Sequence, residues 1–201
     1  MADLVHVIDD DEAVRESLSF LLATSGFEVR TYESAKSFLE GPVESIDGCI
    51  ITDVRMPEIT GLDLLRRLSG RARQAPVIVI TGHGDIQLAV EAMKLGAVDF
   101  LEKPFDDERV LEAVRAALVR HRVESERSHA LGEIGERLES LSQRERQVLD
   151  GLVAGLPNKT IAHDLGISPR TVEVYRAHVM TKMQAGSLSE LVRMALLVQK
   201  A

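Results

Sequence analysis

Residues 4–11 read Leu4-Val5-His6-Val7-Ile8-Asp9-Asp10-Asp11, a β-branched run that breaks off into three consecutive carboxylates. A short apolar run of this kind suits a strand buried on both faces. Four more runs occur further on, at Val29–Tyr32, Cys49–Thr52, Val77–Thr81 and Asp99–Leu101. Between them the spacing turns helical: Val14, Leu18, Leu21 and Leu22 recur on one face before Gly26, a helix stop. Thr60 to Asp63 opens another helix with a capping-box-like pattern, carried on by Leu64, Leu65 and Leu68. A third runs from Ile86 to Leu95 and ends at Gly96; Asp106 or Asp107 caps the last, through Val110, Leu111, Val114 and Leu118. Alternating strands and helices predict an α/β fold, a five-stranded parallel (βα)5 sheet covered on both faces. Ligands of such sheets collect at the carboxyl ends of the strands.

The whole chain has 201 residues, which suits two compact units of unequal size. Hydrophobic residues make up 45% and charged residues 28%, values that exclude a disordered chain. Aromatics reach only 3% with no Trp, which argues against stacking on single-stranded nucleic acid. The single cysteine, Cys49, excludes a disulfide framework and a cysteine-rich zinc site; its apolar flanks predict a buried thiol. The N-terminus has no basic leader, and no apolar run approaches the roughly 18 residues of a membrane span. The expectation is a soluble cytoplasmic protein without a membrane partner.

Charge divides the chain further. Residues 1–122 hold 22 acids and 14 bases, whereas 140–201 hold 8 bases and 5 acids. Of the two, only the second unit suits a polyanion. The boundaries are read as 1–122, a charged helical linker at 123–140 that continues the preceding helix, and an all-α unit at 141–201. In the linker Leu131, Ile134, Leu138 and Leu141 keep a helical spacing, either a partner-helix face or a face packed on its own domain.

A parallel sheet brings the ends of its strands to one edge: Asp9-Asp10-Asp11, Asp53, Thr81 and Lys103-Pro104. Carboxylates so close repel unless a cation sits among them. Mg²⁺ suits them, taking one or two carboxylates and leaving room for phosphate oxygens. A lysine opposite adds a point charge for the same oxygens, and Thr81 a hydroxyl. These parts stabilise a transferring phosphoryl group, and Asp53 can be the nucleophile that forms an acyl phosphate.

Val7-Ile8-Asp9-Asp10-Asp11, Thr52-Asp53-Val54-Arg55-Met56-Pro57, Thr81-Gly82-His83-Gly84 and Glu102-Lys103-Pro104-Phe105 together resemble the receiver domain of bacterial response regulators, over residues 1–122. The resemblance implies that Asp53 accepts a phosphoryl group from a sensor histidine kinase. Asp9, Asp10 and Asp53 would hold Mg²⁺ with the backbone carbonyl of Arg55, and Lys103 would hold the phosphoryl oxygens. It also implies a cis Lys103–Pro104 peptide, a Thr81 that swings toward the phosphate and a Phe100 that turns inward behind it. Arg55 and His83, each two residues beyond a functional position, would border the path of hydrolytic water. No second His or Cys shares the loop of His83, which argues against zinc there.

Beyond the linker, Ser142 and Glu145 form a capping box for a helix with Val148, Leu149, Leu152 and Val153 on one face. Asn158 is expected to cap a short second helix that ends at Gly166. Ser168 caps a third with Pro169 at its first position, where a missing N–H costs nothing. The pattern is a helix-turn-helix. On a helical wheel Val172, Tyr175, Val179 and Met183 face inward, and Arg170, Val174, Ala177, His178 and Thr181 outward. Lys159, Thr160, Arg170, Thr171 and Lys182 are the candidates for DNA phosphates; Glu173, Val174 and Ala177 are those for base edges. Arg176 lies on the inward half, where Glu145 is its expected partner.

Residues 141–197 resemble the LuxR-type helix-turn-helix, with Pro157 where Ser is commoner. That resemblance assigns pairing of DNA-binding domains to the fourth helix, here Ser187 to Leu197, with a seam of Leu188, Leu191, Val192 and Ala195. As a whole the chain resembles the FixJ subgroup of response regulators, through Gly82-His83-Gly84-Asp85 and Ala97 to Phe105. Its members answer to oxygen-sensing haem kinases and activate genes of nitrogen fixation or microaerobic respiration; the alternative is a related response regulator for another signal, since such regulators carry similar motifs. The implied mechanism is relief of inhibition: phosphorylation repacks a face including Val90, Lys94 and Phe100, and two chains pair. Their recognition helices then reach half-sites about one DNA turn apart, where RNA polymerase is a further partner.

Two other classes compete. An aspartate-based, Mg²⁺-dependent phosphatase needs a second acid two residues after its nucleophile, and Arg55 stands there. A sigma-factor-like or protein-binding bundle would lack salt-steep binding to a palindrome. The reading adopted is a transcriptional regulator, not an enzyme.

Overall fold

The computed structural model describes residues 3–41, 46–68, 75–82 and 86–199. The first unit alternates β1 (Leu4–Ile8), α1 (Glu12–Thr24), β2 (Glu28–Tyr32), α2 (Ala35–Leu39), β3 (Cys49–Asp53), α3 (Gly61–Leu68), β4 (Val77–Thr81), α4 (Ile86–Lys94) and β5 (Asp99–Glu102). All five strands are parallel, in the order β2-β1-β3-β4-β5. The order reverses direction beside β1, between its neighbours β2 and β3, the kind of switch point where open α/β sheets bind ligands.

Strand periodicity sends alternate side chains to two cores. Ile50, Val77 and Val79 join α2, α3 and α4 on one face. Val5, Val7, Ile51, Ile78 and Ile80 join α1 and the start of α5 (Asp107–Glu139) on the other. The central strands β3 and β4 are buried throughout, as their unbroken apolar runs require, while edge strands β2 and β5 expose Glu28, Arg30 and Glu102. Cys49 is fully buried and its thiol is pushed up to about 12 by that burial, so it is inert packing.

Local chemistry fixes the ends. Asp11 caps α1 through the Ala13 N–H, and Thr60 and Asp63 exchange hydrogen bonds at the start of α3. Asp106 precedes α5, its carbonyl accepting from Val110 N–H and its carboxylate from Glu108 N–H. α2 is a five-residue helix capped by Ser34, too short to leave a periodic signal in the sequence.

The chain divides into compact units at 1–125 and 126–201. In the second, the tail of α5 packs with α6 (Gln143–Val153), α7 (Asn158–Leu165), α8 (Pro169–Met183) and α9 (Leu188–Gln199). Ile134 and Leu141 are buried and Leu138 lies against them, so the seam read in the linker packs on its own domain. Ser142 and Glu145 form the expected capping box. The expectation for α7 is corrected: Pro157 occupies the N-cap position without a side-chain cap, and Asn158 is already inside the helix. The Pro157 carbonyl accepts from Thr160 and Ile161 N–H instead. Ser168 caps α8 through the Thr171 N–H, after Gly166 turns left-handed at φ 66°.

Candidate functional site

The carboxyl ends of β1, β3 and β4, with the residue after β5, meet at one rim. Asp9, Asp53 and Thr81 are all buried there, Asp9 to 1% exposure and Asp53 to 6%. The Lys103 ammonium bridges the two acids, donating to Asp9 Oδ2 at 2.8 Å and to Asp53 Oδ1 at 2.7 Å. Asp9 Oδ1 accepts from Asp11 N–H at 2.9 Å, and Asp53 Oδ2 accepts from Arg55 N–H. Thr81 Oγ1 donates to Gly82 O at 3.3 Å. The Lys103–Pro104 peptide is cis.

The backbone beneath Asp53 is held from below. Gly61 N–H donates to Val54 O at 3.0 Å, and a Cβ on Gly61 would lie 2.2 Å from the Asp53 carbonyl oxygen. Sequence reasoning saw only a helix start here; a Gly directly after a capping Thr was the signal of close approach.

Two acids sharing one lysine leave an excess of negative charge. Burial raises the Asp53 carboxyl above its ordinary range, against the pull of the Lys103 hydrogen bond and charge. Burial also disfavours the Lys103 ammonium, but its bonds to Asp53 and Asp9 outweigh that and hold it above the usual value.

The sequence placed three acids, Asp9, Asp10 and Asp53, around a metal. The structure brings two of them together; Asp10 is exposed beside them, and among the described residues no group of three or more His, Cys, Asp or Glu side chains converges. The donor chemistry still fits Mg²⁺, a hard cation that needs only one or two carboxylates and keeps its waters. Arg55 is exposed at the rim; His83, Gly84 and Asp85 lie outside the described residues. Phe100 is 42% exposed and Val90 49%, and Lys94 is exposed with them.

In the second unit α8 presents Arg170, Glu173, Val174 and Ala177 outward, while Val172, Val179 and Met183 are fully buried. Lys159 and Thr160 are exposed on the first turn of α7, and Thr171 is half-buried. Lys182, expected at a DNA phosphate, is exposed and also meets an acid of its own domain. Its ammonium donates to Glu145 Oε2 at 2.7 Å and to Ser140 O at 3.2 Å, while the side chain stays partly exposed. His178, one turn earlier, lies 3.7 Å from Glu145 Oε1. Glu145 is therefore partnered by Lys182 and His178 where Arg176 was expected. Both Arg176 and Lys182 flank the buried stripe of α8, on opposite sides, and periodicity cannot say which side meets α6. The Lys182 hydrogen bond and that from the Ser142 N–H hold Glu145 down to about 2.

The seam expected on α9 is corrected in part: Leu188 is exposed and Val192 half-buried. Leu191 and Ala195 belong to the domain's own core, and the exposed apolar side chains are Leu188, Leu196 and Leu197.

Both units are similar to known proteins. The family "Response regulator receiver domain" matches residues 5–115, and "Bacterial regulatory proteins, luxR family" matches 139–195. The chain is 65% identical to the transcriptional regulatory protein FixJ of Azorhizobium caulinodans, across 96% of this chain and 92% of that one. Among solved structures, the response regulator StyR aligns over all of both chains with a TM-score of 0.87 at 39% identity. Full-length FixJ from B. japonicum aligns over 99% of this chain and 98% of its own, with a TM-score of 0.62 at 50% identity. The chain belongs to the response regulators, as a FixJ-like member with a receiver domain and a LuxR-family DNA-binding domain.

Proposed function

We propose that Asp53 is the phosphoacceptor and that its phosphorylation drives pairing and DNA binding. The observation that carries this is the Lys103 bridge between Asp9 and Asp53 at the rim of the sheet. An Asp53 carboxylate oxygen attacks the phosphorus of a sensor kinase's phosphohistidine; the N–P bond breaks, an O–P bond forms, and the imidazole leaves. Asp9, Asp10, Asp53 and the Arg55 carbonyl would hold Mg²⁺, which when bound neutralises charge on the transferring oxygens. Lys103 follows those oxygens, and Thr81 turns its hydroxyl from Gly82 O to the phosphoryl group. The modification replaces a carboxylate of one negative charge with an acyl phosphate of about two and three further acceptor oxygens at a buried rim, enough to bias a bistable face. Phe100 turns inward, and Val90, Lys94 and the space it leaves form the pairing surface.

In the DNA-binding unit Lys159, Thr160, Arg170 and Thr171 hold phosphates, and Glu173, Val174 and Ala177 meet base edges. Lys182 keeps its bond to Glu145. The domains then run over 1–122 and 141–201, joined by residues 123–140, which are helical as far as Glu139. No helix among the described residues is long and apolar enough to cross a membrane, consistent with a cytoplasmic regulator that meets promoter DNA and RNA polymerase. The identity to FixJ favours a nitrogen-fixation or microaerobic programme and an oxygen-sensing haem kinase as donor.

The test is sizing and DNA binding before and after acetyl phosphate with Mg²⁺. The expected result is a monomer that becomes a dimer and binds a palindromic promoter with a steep salt dependence. A protein that binds equally in both states would refute phosphorylation control. Sustained turnover of a phosphoester would instead support the phosphatase reading.

A further inference from the structure

Asp9 has four polar groups, and each is engaged. Its N–H donates to Tyr32 O at 3.2 Å, and its two carboxylate oxygens accept from Asp11 N–H and Lys103. The fourth, the backbone carbonyl, accepts from Arg15 Nη1 at 2.7 Å. Arg15 is half-buried on the first turns of α1, and it reaches back past the cap made by Asp11. It meets a neutral carbonyl although Asp9, Asp10 and Asp11 all carry carboxylates in the same loop. That carbonyl belongs to the peptide joining Asp9 to Asp10, so its direction sets where the Asp10 side chain departs from the chain. Asp10 itself is exposed to solvent.

The geometry points to Arg15 as a positioning residue of the phosphorylation site, fixing the Asp9–Asp10 peptide and with it the backbone from which both acids would reach the cation. The inference rests on the reading of the rim as a Mg²⁺-assisted phosphoacceptor. Arg15 touches neither phosphoryl group nor metal; it acts through the peptide plane. A charge-assisted bond to a carbonyl is stronger than a neutral one, and partners that orient metal ligands typically change metal affinity by about 10–100-fold when removed.

The experiment uses the full chain as wild type, Arg15→Gln and Arg15→Lys. Mg²⁺ binding is measured by calorimetry, and acetyl-phosphate labelling by intact mass at stepped Mg²⁺. Arg15→Gln should weaken Mg²⁺ about tenfold. Its labelling should fall at low Mg²⁺ and return to within about threefold of wild type at saturation, while melting without Mg²⁺ stays near that of wild type. Arg15→Lys, which keeps a charged donor, should lie between. Equal Mg²⁺ affinities in all three proteins overturn the inference. So does a labelling defect that saturating Mg²⁺ cannot restore. If Arg15→Gln melts early, Arg15→Lys decides alone: weaker Mg²⁺ with normal melting supports the role, and unchanged Mg²⁺ refutes it. Failure of the wild type to label would refute the phosphoacceptor reading instead, leaving calorimetry to judge Arg15.

Discussion

Lys103 sits between two buried carboxylates, Asp9 and Asp53, whereas Lys182 meets only one, Glu145. Each centre sets a lysine against buried carboxylate, yet the acids respond in opposite directions. Asp53 is raised by burial against its lysine, while Glu145 is held down to about 2 by its lysine and by the Ser142 N–H. The difference is one of balance. At Glu145 one acid, one lysine and one helix cap satisfy each other's charge and hydrogen bonds. At the rim of the sheet two acids divide one ammonium, which leaves a net negative pocket suited to a further cation. Perturbed, under-compensated groups in a cleft mark reactivity; compensated ones mark architecture.

The largest effect is expected directly beneath Asp53. Gly61→Ala would place a Cβ against the Asp53 carbonyl oxygen, a backbone atom that cannot step aside. It should destabilise the first unit by about 2–4 kcal/mol and slow labelling, read by chemical denaturation and intact mass. An unchanged midpoint would show that the rim is looser than its packing implies.

Lys182→Met strands the Glu145 carboxylate and should destabilise the second unit by about 2–3 kcal/mol, less than a fully buried pair because the lysine is partly exposed. It should leave labelling of Asp53 untouched. Adding Glu145→Gln should recover part of the loss, since the pair then disappears together.

pH sharpens the contrast. Glu145 is depressed in the folded protein, so between its unfolded value near 4.5 and its folded value of about 2 the unfolded chain binds more protons. Its contribution, discounted for solvent to about 1–2 kcal/mol, is present above that window and lost as pH falls through it. The stability gap between wild type and Glu145→Gln should therefore close between roughly pH 4.5 and 2. A gap that persists at the acid end would contradict the assignment.

The smallest effect is at the DNA surface. Lys159→Ala should weaken binding to all duplexes alike and lower the salt slope by about one. Lys182, tied to Glu145, should give no such change in slope.

The sequence made the first unit more legible than the second, for physical reasons. Buried parallel strands such as Val77–Thr81 announce themselves as unbroken apolar runs, and the residues at their carboxyl ends must gather at one edge. Asp9, Asp53, Thr81 and Lys103 could be placed together from that alone. Asp10 could not, because whether a third acid turns inward depends on one peptide plane. On α8, inward Val172 and Val179 followed from the 3.6-residue repeat, but flanking Lys182 and Arg176 are equivalent to it. On α9 the repeat found an apolar face without saying that Leu191 and Ala195 turn into the domain and Leu196 and Leu197 away. Gly61 has no periodic signal, and only its place directly after the capping Thr60 points to a close backbone approach.

The most direct measurement is the site and number of phosphoryl groups after acetyl phosphate, by intact mass and peptide mapping of wild type, Asp53→Asn and Lys182→Met. One group per chain, on Asp53, absent from Asp53→Asn and retained in Lys182→Met, is the predicted result. A phosphoryl group that persists in Asp53→Asn, or maps to another residue in the wild type, would contradict it.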